Sequence, residues 1–507
     1  MLSWLVWLPI IAGAVVLILN NRPWLNWAAL GAAVVTFILS LLLLPAFDGS
    51  SAHLQLVERV SWIDIAGIKV DYYLGVDGIA LPLLLLNTFI TLFAIGSGWE
   101  NTKQPAQFFA AFLIMEGVVN GVFLAQDAML FYIFFEAMLI PLFIIIGVWG
   151  GPRRVYATIK FFLYTFLGSV FFFISLIYLY QHANGSFALQ DFYQHPVGKE
   201  AQILIFFAFL LAFGVKIPMW PVHTWLPDAH VEAPTAGSVI LAAITLKVGG
   251  YAIIRFVLPL LSDAVSVYYW IPMVLSLIAI VYIGFVALVQ TDMKKLIAYS
   301  SIAHMGFVTL GFFMVHWLVG NGNDPDIPII ALQGAMVQMV SHGFISAAMF
   351  LCIGVLYDRM HTREIKAYGG VVNRMPWFAT LFVFFAMSNA ALPGTSGFIG
   401  EFLVITASVA WSVSISVALI ASLTLVIGAA YNLWLVKRVV FGSVTNAEVD
   451  KLTDLSTREV LMLGGLALAV LVLGLWPAPL MDLMNASLDQ LIQYIRAAVE
   501  VKGQGVQ

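Results

Sequence analysis

The stretch FAFLLAFGVKIPMW occupies residues 207–220. Apolar and small residues lead straight into Lys216, and Pro218 follows two positions later. A charged side chain at mid-helix in a bilayer costs about 2.5–3.5 kcal/mol on insertion scales. Proline removes a backbone donor and breaks the helix ladder. A chain keeps both at one depth only where the charge is paired, wet or needed.

The rest of the chain has the same character. It has 507 residues, of which 62% are hydrophobic and 10% charged, against about 25% charged in soluble domains. With a mean hydropathy of +0.98, this is the composition of a polytopic membrane protein. The apolar runs last roughly 20 residues without alternating, so they read as helices rather than barrel strands. The first run, LSWLVWLPIIAGAVVLILN, lacks a basic start and a small-x-small cleavage site, so it reads as a retained helix. The single cysteine, Cys352, cannot by itself ligate an iron–sulfur cluster or close a disulfide. No GxGxxG or P-loop is present. No redox centre or nucleotide site is evident, and the net charge of −4 is dispersed through the loops.

The reading gives an all-α polytopic protein of about fourteen transmembrane helices. Residues 1–105 hold spans 1–3, 106–260 spans 4–8 and 268–436 spans 9–13. Residues 437–507 hold a loop, the last span and a terminal helix. In that terminal helix Leu480, Met484, Leu488, Leu491 and Ile495 share one face, which predicts an amphipathic helix at the membrane interface. The polar stretches 47–75 and 437–458 are too short for globular domains. With the N-terminus outside, fifteen of the 23 Lys and Arg fall in cytoplasmic loops and six outside. The positive-inside rule then places both chain ends on the outer side.

Two spans are interrupted. The seventh breaks at Pro218 and Pro221, and the twelfth, LFVFFAMSNAALPGTSGFIGEFLVI, at Pro393, Gly394 and Gly397. Each is fourth in a set of five, and paired broken helices point to the transport site of a repeat-built carrier. Five is odd, so the second set enters the bilayer from the opposite face. The alternative is two unrelated proline kinks.

Ionisable groups recur at depth: Glu136, Lys216, Lys247, His304, His342 and Glu401, with Glu116 early in the fourth span. Singly, each has a structural explanation. A histidine can be a bonded core residue, and Glu136 with Lys216 can be a static ion pair. Together they are too many for a structural protein and suit a proton or ion path. A buried lysine loses proton affinity by desolvation, and a nearby carboxylate restores it. Opening and closing a Glu136–Lys216 pair would therefore release and recapture a proton, with histidines bridging onward. His223, Asp228, His230 and Glu232 cluster loosely but match no zinc pattern. They read as a connector whose polar groups are satisfied locally.

The motifs KIPMWPVHTWLPDAHVEAPTAGSVILA, TDMKKLIAYSSIAHMGF and LPGTSGFIGEF resemble the antiporter-like family. That family comprises the proton-pumping membrane subunits of respiratory complex I (NADH–quinone oxidoreductase) and the large subunits of multi-subunit cation/proton antiporters. The resemblance runs over nearly the whole chain. It implies fourteen helices, with helices 4–8 and 9–13 as inverted repeats and helices 7 and 12 broken. It implies roles for Glu136 as the helix 5 carboxylate, Lys216 as its helix 7 partner and Lys247 as the central helix 8 lysine. His304 and His342 become the central histidines and Glu401 the terminal donor; Glu116 lies outside the pattern. It further implies that FMN, iron–sulfur clusters and quinone sit in partner subunits. Two sister subunits would flank this chain in a bacterial inner membrane, with no nucleic-acid partner. The alternatives are a sodium/proton antiporter subunit and a scaffold that only holds a membrane arm together.

Overall fold

The computed structural model describes residues 1–20, 22–65, 67–100, 103–321, 324–409 and 415–504. Positions 410–414, near the start of the predicted span 408–436, and the side chain of Lys502 lie outside the described residues. The α-helices longer than seven residues are α1 (Leu2–Ile18), α2 (Leu25–Leu41), α3 (Ala80–Ser97), α4 (Pro105–Leu124), α5 (Ala128–Trp149), α6 (Arg154–His182), α7 (Lys199–Lys216) and α8 (Trp225–Glu232). They continue as α9 (Thr235–Val257), α10 (Trp270–Leu288), α11 (Met293–Asn321), α12 (Ile327–Met360), α13 (Pro376–Asn389), α14 (Ser396–Val409), α15 (Ile415–Val439), α16 (Thr457–Leu475) and α17 (Ala478–Gln504). Among the described residues, eleven helices are long and apolar enough to cross a membrane, and α1, α13 and α14 are shorter apolar helices.

Burial sorts these helices into layers. The most apolar windows of α9, α11 and α12 are 100%, 89% and 94% buried, so they form the centre; α6, at 39%, lies on the flank. On α6, Ile159, Leu163, Leu167 and Ile174 are exposed, as expected of a lipid-facing surface.

Both breaks occur where the sequence places them. α7 ends at Lys216 and α8 begins at Trp225. Around the break, the Trp225 indole N–H donates to the Val215 carbonyl at 2.9 Å and Met219 N–H to Gly214 at 2.7 Å. These bonds occupy carbonyls that the prolines leave without helical donors. The break rests on α9 at Gly249, where a Cβ would stand 2.8 Å from the Ile217 nitrogen. The second break, between α13 and α14, packs on α16 at Gly474, where a Cβ would stand 2.3 Å from Thr395. In both places only a glycine lets a neighbouring helix approach an interrupted backbone so closely.

The stretch 47–75 carries structure that the sequence reading did not assign. An antiparallel hairpin forms from β1 (Gln55–Ile65) and β2 (Ile68–Val76), with register shifts between Gln55 and Glu58 and between Ser61 and Ile63. Glu58 caps the first helix: its carboxylate accepts from the chain's terminal ammonium, from Leu2 N–H at 2.8 Å and from Ser3 N–H at 3.1 Å. Burial alone would raise its pKa, but these bonds hold it below the usual carboxylate value.

α17 is amphipathic as predicted, but its apolar face meets protein. Met484, Leu488, Leu491 and Ile495 are buried. The Gly78 N–H donates to the Ser487 hydroxyl at 3.0 Å, Gln333 bonds Asn485, and Arg496 donates to the Pro325 carbonyl. The helix therefore straps the hairpin face of the bundle.

Candidate functional site

Glu136 lies on α5, whose first turn is capped by Asp127, accepting from Met129 and Leu130 N–H at 2.9 Å each. Pro141 has no N–H for the Ala137 carbonyl, and the helix loosens into a turn at Met138. The carboxylate is half-buried; it engages Ser169 on α6, and its Oε1 has no hydrogen-bond partner. Lys216, the last residue of α7, is 3% exposed. Its ammonium has no hydrogen-bond partner and stands 4.7 Å from the centre of the Phe135 ring. The two charges feel each other electrostatically but form no direct hydrogen-bonded ion pair. The predicted switch pair is therefore open in this conformation, with a cation–π contact in place of the salt bridge.

Lys247 lies deeper, fully buried on α9. A π-turn at Leu241–Thr245 precedes it, and such turns reposition carbonyls within a helix. The Lys247 ammonium donates to the Ala242 carbonyl at 2.7 Å and meets Nδ1 of His342, on α12, at 2.7 Å. With lysine as donor, Nδ1 accepts, and a neutral His342 ring carries its proton on Nε2.

His304 on α11 continues the line. Its ring centre is 5.8 Å from that of His342. Its Nδ1 lies 2.7 Å from Oε1 of Glu401, on α14 just past the second break. Gln338 donates to the same oxygen at 3.3 Å. Between the two histidines is a cavity of about 10 Å³, lined by Gln338, Ser341, Ser388 and Asn389. That is about the room one water needs, and the walls are polar enough to hold it.

The six predicted residues thus fall into an open pair, Glu136 and Lys216, and two bonded pairs, Lys247–His342 and His304–Glu401, whose histidine rings face each other at 5.8 Å. Glu116 joins neither. It is buried on α4, both carboxylate oxygens lack hydrogen-bond partners, and only its carbonyl is engaged, by Asn87.

Sequence reasoning missed the neutral groups around the line. Tyr431 on α15 lies 3.4 Å from His304 Nε2 and 2.9 Å from the Ser300 hydroxyl, and Asn389 bridges Ser300 and Asn432. Asn389 and Asn432 in apolar runs were the available signal. Three placements also change. Lys294, counted as a loop cation, is buried in the first turn of α11 and donates to the Ala233 carbonyl at 2.7 Å. Arg255, counted outside, is buried on α9 and paired with Asp77. The connector histidines are not satisfied locally: neither ring nitrogen of His230 has a hydrogen-bond partner, and the ring stacks on Phe350 at 4.5 Å.

Residues 125–428 match the family model described as NADH:quinone oxidoreductase/Mrp antiporter, TM. The NADH-quinone oxidoreductase subunit M of Rhodobacter capsulatus is 46% identical over 98% of this chain and 97% of that one. A chain of respiratory complex I from Thermus thermophilus with bound NADH superposes with a TM-score of 0.85, at 28% identity and 99% coverage of both. A chain of the Mrp complex from Dietzia reaches 0.82 at 19% identity, covering 98% and 99%, a likeness of fold alone.

Proposed function

The chain belongs to the family of NADH-quinone oxidoreductase subunit M, antiporter-like membrane-arm subunits of respiratory complex I, and from that premise we propose that it translocates protons along the buried line. A proton reaches Lys216 and is released when the lysine stands apart from Glu136. It passes to Lys247, crosses to His342 and His304, and leaves by Glu401. Quinone reduction elsewhere in the enzyme supplies the drive, with FMN and iron–sulfur clusters in partner subunits. The observation that carries this reading is the two bonded pairs Lys247–His342 and His304–Glu401, with room for a water between the rings. Each pair joins two groups able to hold a proton at hydrogen-bond distance, and the rings themselves are 5.8 Å apart across the cavity.

In this reading fourteen helices span a bacterial inner membrane. Helices 4–8 (α4 to α9) and 9–13 (α10 to α15) are inverted repeats, and both termini lie on the outer side. Two sister subunits flank the chain. The sodium/proton antiporter alternative keeps the same line with a different cargo.

The test is the complete enzyme in sealed vesicles. Lys216→Ala and Glu136→Gln should each lower protons moved per electron pair while the complex still assembles. Wild-type stoichiometry in both would reject the relay.

A further inference from the structure

Asp77, Arg255 and a cavity on the hairpin face take no part in the relay. Lys247, Tyr251 and Arg255 stand at i, i+4 and i+8 on α9, one above the other on a single helix face. The eight residues from Lys247 to Arg255 rise about 12 Å toward the hairpin face. Tyr251 is fully buried and donates to the Phe123 carbonyl at 2.8 Å. Arg255 lies over the Tyr251 ring at 5.1 Å and pairs with Asp77. A second π-turn, Ile253–Val257, surrounds the arginine. The Arg255 Nε is buried with no hydrogen-bond partner. Beyond the ion pair is a cavity of about 440 Å³, walled by Asp77, Arg255, Gln126, Tyr193, His53 and Tyr494. His53 and Tyr494 are exposed, so it opens to solvent beneath α17.

The geometry points to a second outlet for the relay, from Lys247 past Tyr251 to this vestibule, with the Asp77–Arg255 pair as its closed gate. This rests on the proton-relay reading. When Arg255 swings away, the Asp77 carboxylate is freed. One N–H bond of the Lys247 ammonium breaks, the Tyr251 hydroxyl and intervening water pass the proton, and an O–H bond forms on Asp77. Asp77 then yields the proton to vestibule water, and Arg255 keeps its own throughout. Asp77 also caps α3, accepting from Ile79 and Ala80 N–H at 3.1 and 2.9 Å. Asparagine caps a helix as well as aspartate does, so Asp77→Asn removes the charge and spares the cap. Arg255→Gln frees the Asp77 carboxylate, which opens the gate, and leaves the cap untouched.

The experiment imposes a pH gradient across vesicles holding the complete enzyme and follows its decay without NADH. Arg255→Gln should speed the decay, and adding either Lys247→Met or Asp77→Asn, which removes the proton acceptor, should return it to the wild-type rate. Wild-type decay in Arg255→Gln, or a leak that survives Lys247→Met or Asp77→Asn, overturns the outlet. Lys247→Met alone separates the two proposals: normal NADH-driven pumping in that variant rejects the relay itself. Loss of pumping there, with no leak in Arg255→Gln, rejects only the outlet.

Discussion

Lys247 and His342 meet at 2.7 Å, and both are buried. In such a place each group is the other's main substitute for water, so removing one strands the other. Lys247→Met and His342→Ala should therefore be non-additive. The double variant's loss of protons per electron pair should match the larger single loss. Additive losses in that cycle would mean the two groups work on separate routes. Tyr431 lies 3.4 Å from His304 Nε2; in the proposed relay, an O–H donated there would leave Nδ1 to carry the proton toward Glu401.

Among the elements, the hairpin shows how the bundle fixes its own first residues. The Glu58 carboxylate joins β1 to the start of α1, and its depressed pKa records that those bonds favour the charged form. A lowered folded pKa stabilises the clasp above the unfolded value and is lost as pH falls through the folded one. Amide exchange at Leu2 and Ser3, corrected for intrinsic rates, should rise relative to the rest of α1 below about pH 4.3. Glu58→Gln should show that raised exchange already at neutral pH. The broken helices follow a related economy. Each interruption is held by a glycine of a neighbouring helix, Gly249 or Gly474, and each has an ionisable group nearby: Lys216 ends the helix before the first break, and Glu401 lies in the second turn of the helix after the second.

Across the molecule, the polar line runs from half-buried Glu136 on the α5 flank to Glu401 beyond the second break, through the most buried helices. A scaffold would tolerate apolar residues there, since exchanging buried polar groups for packed apolar ones is often neutral or stabilising. Replacing Lys247 and Glu401 together by Met and Gln should leave an assembled membrane arm with reduced proton translocation. Full translocation by that double variant would favour the scaffold.

The breaks at Pro218 and Pro393, the amphipathic face from Leu480 to Ile495, and the burial of Lys216, Lys247, His304, His342 and Glu401, though not of half-buried Glu136, were legible in the chain. Each follows from local chemistry: a missing N–H, a period of 3.6, or the cost of charge in lipid. The amphipathic period gave a face but not its occupant, and that face lies against the bundle. Which titratable groups meet was settled only by packing. Lys247 reaches His342 across 95 positions and His304 reaches Glu401 across 97, and spacing along the chain carries no trace of such contacts. The same holds for Arg255 with Asp77, and for Glu136 standing apart from Lys216. A residue's solvent is set by its own sequence neighbourhood, whereas its partner is set by how helices distant in the chain lie against one another.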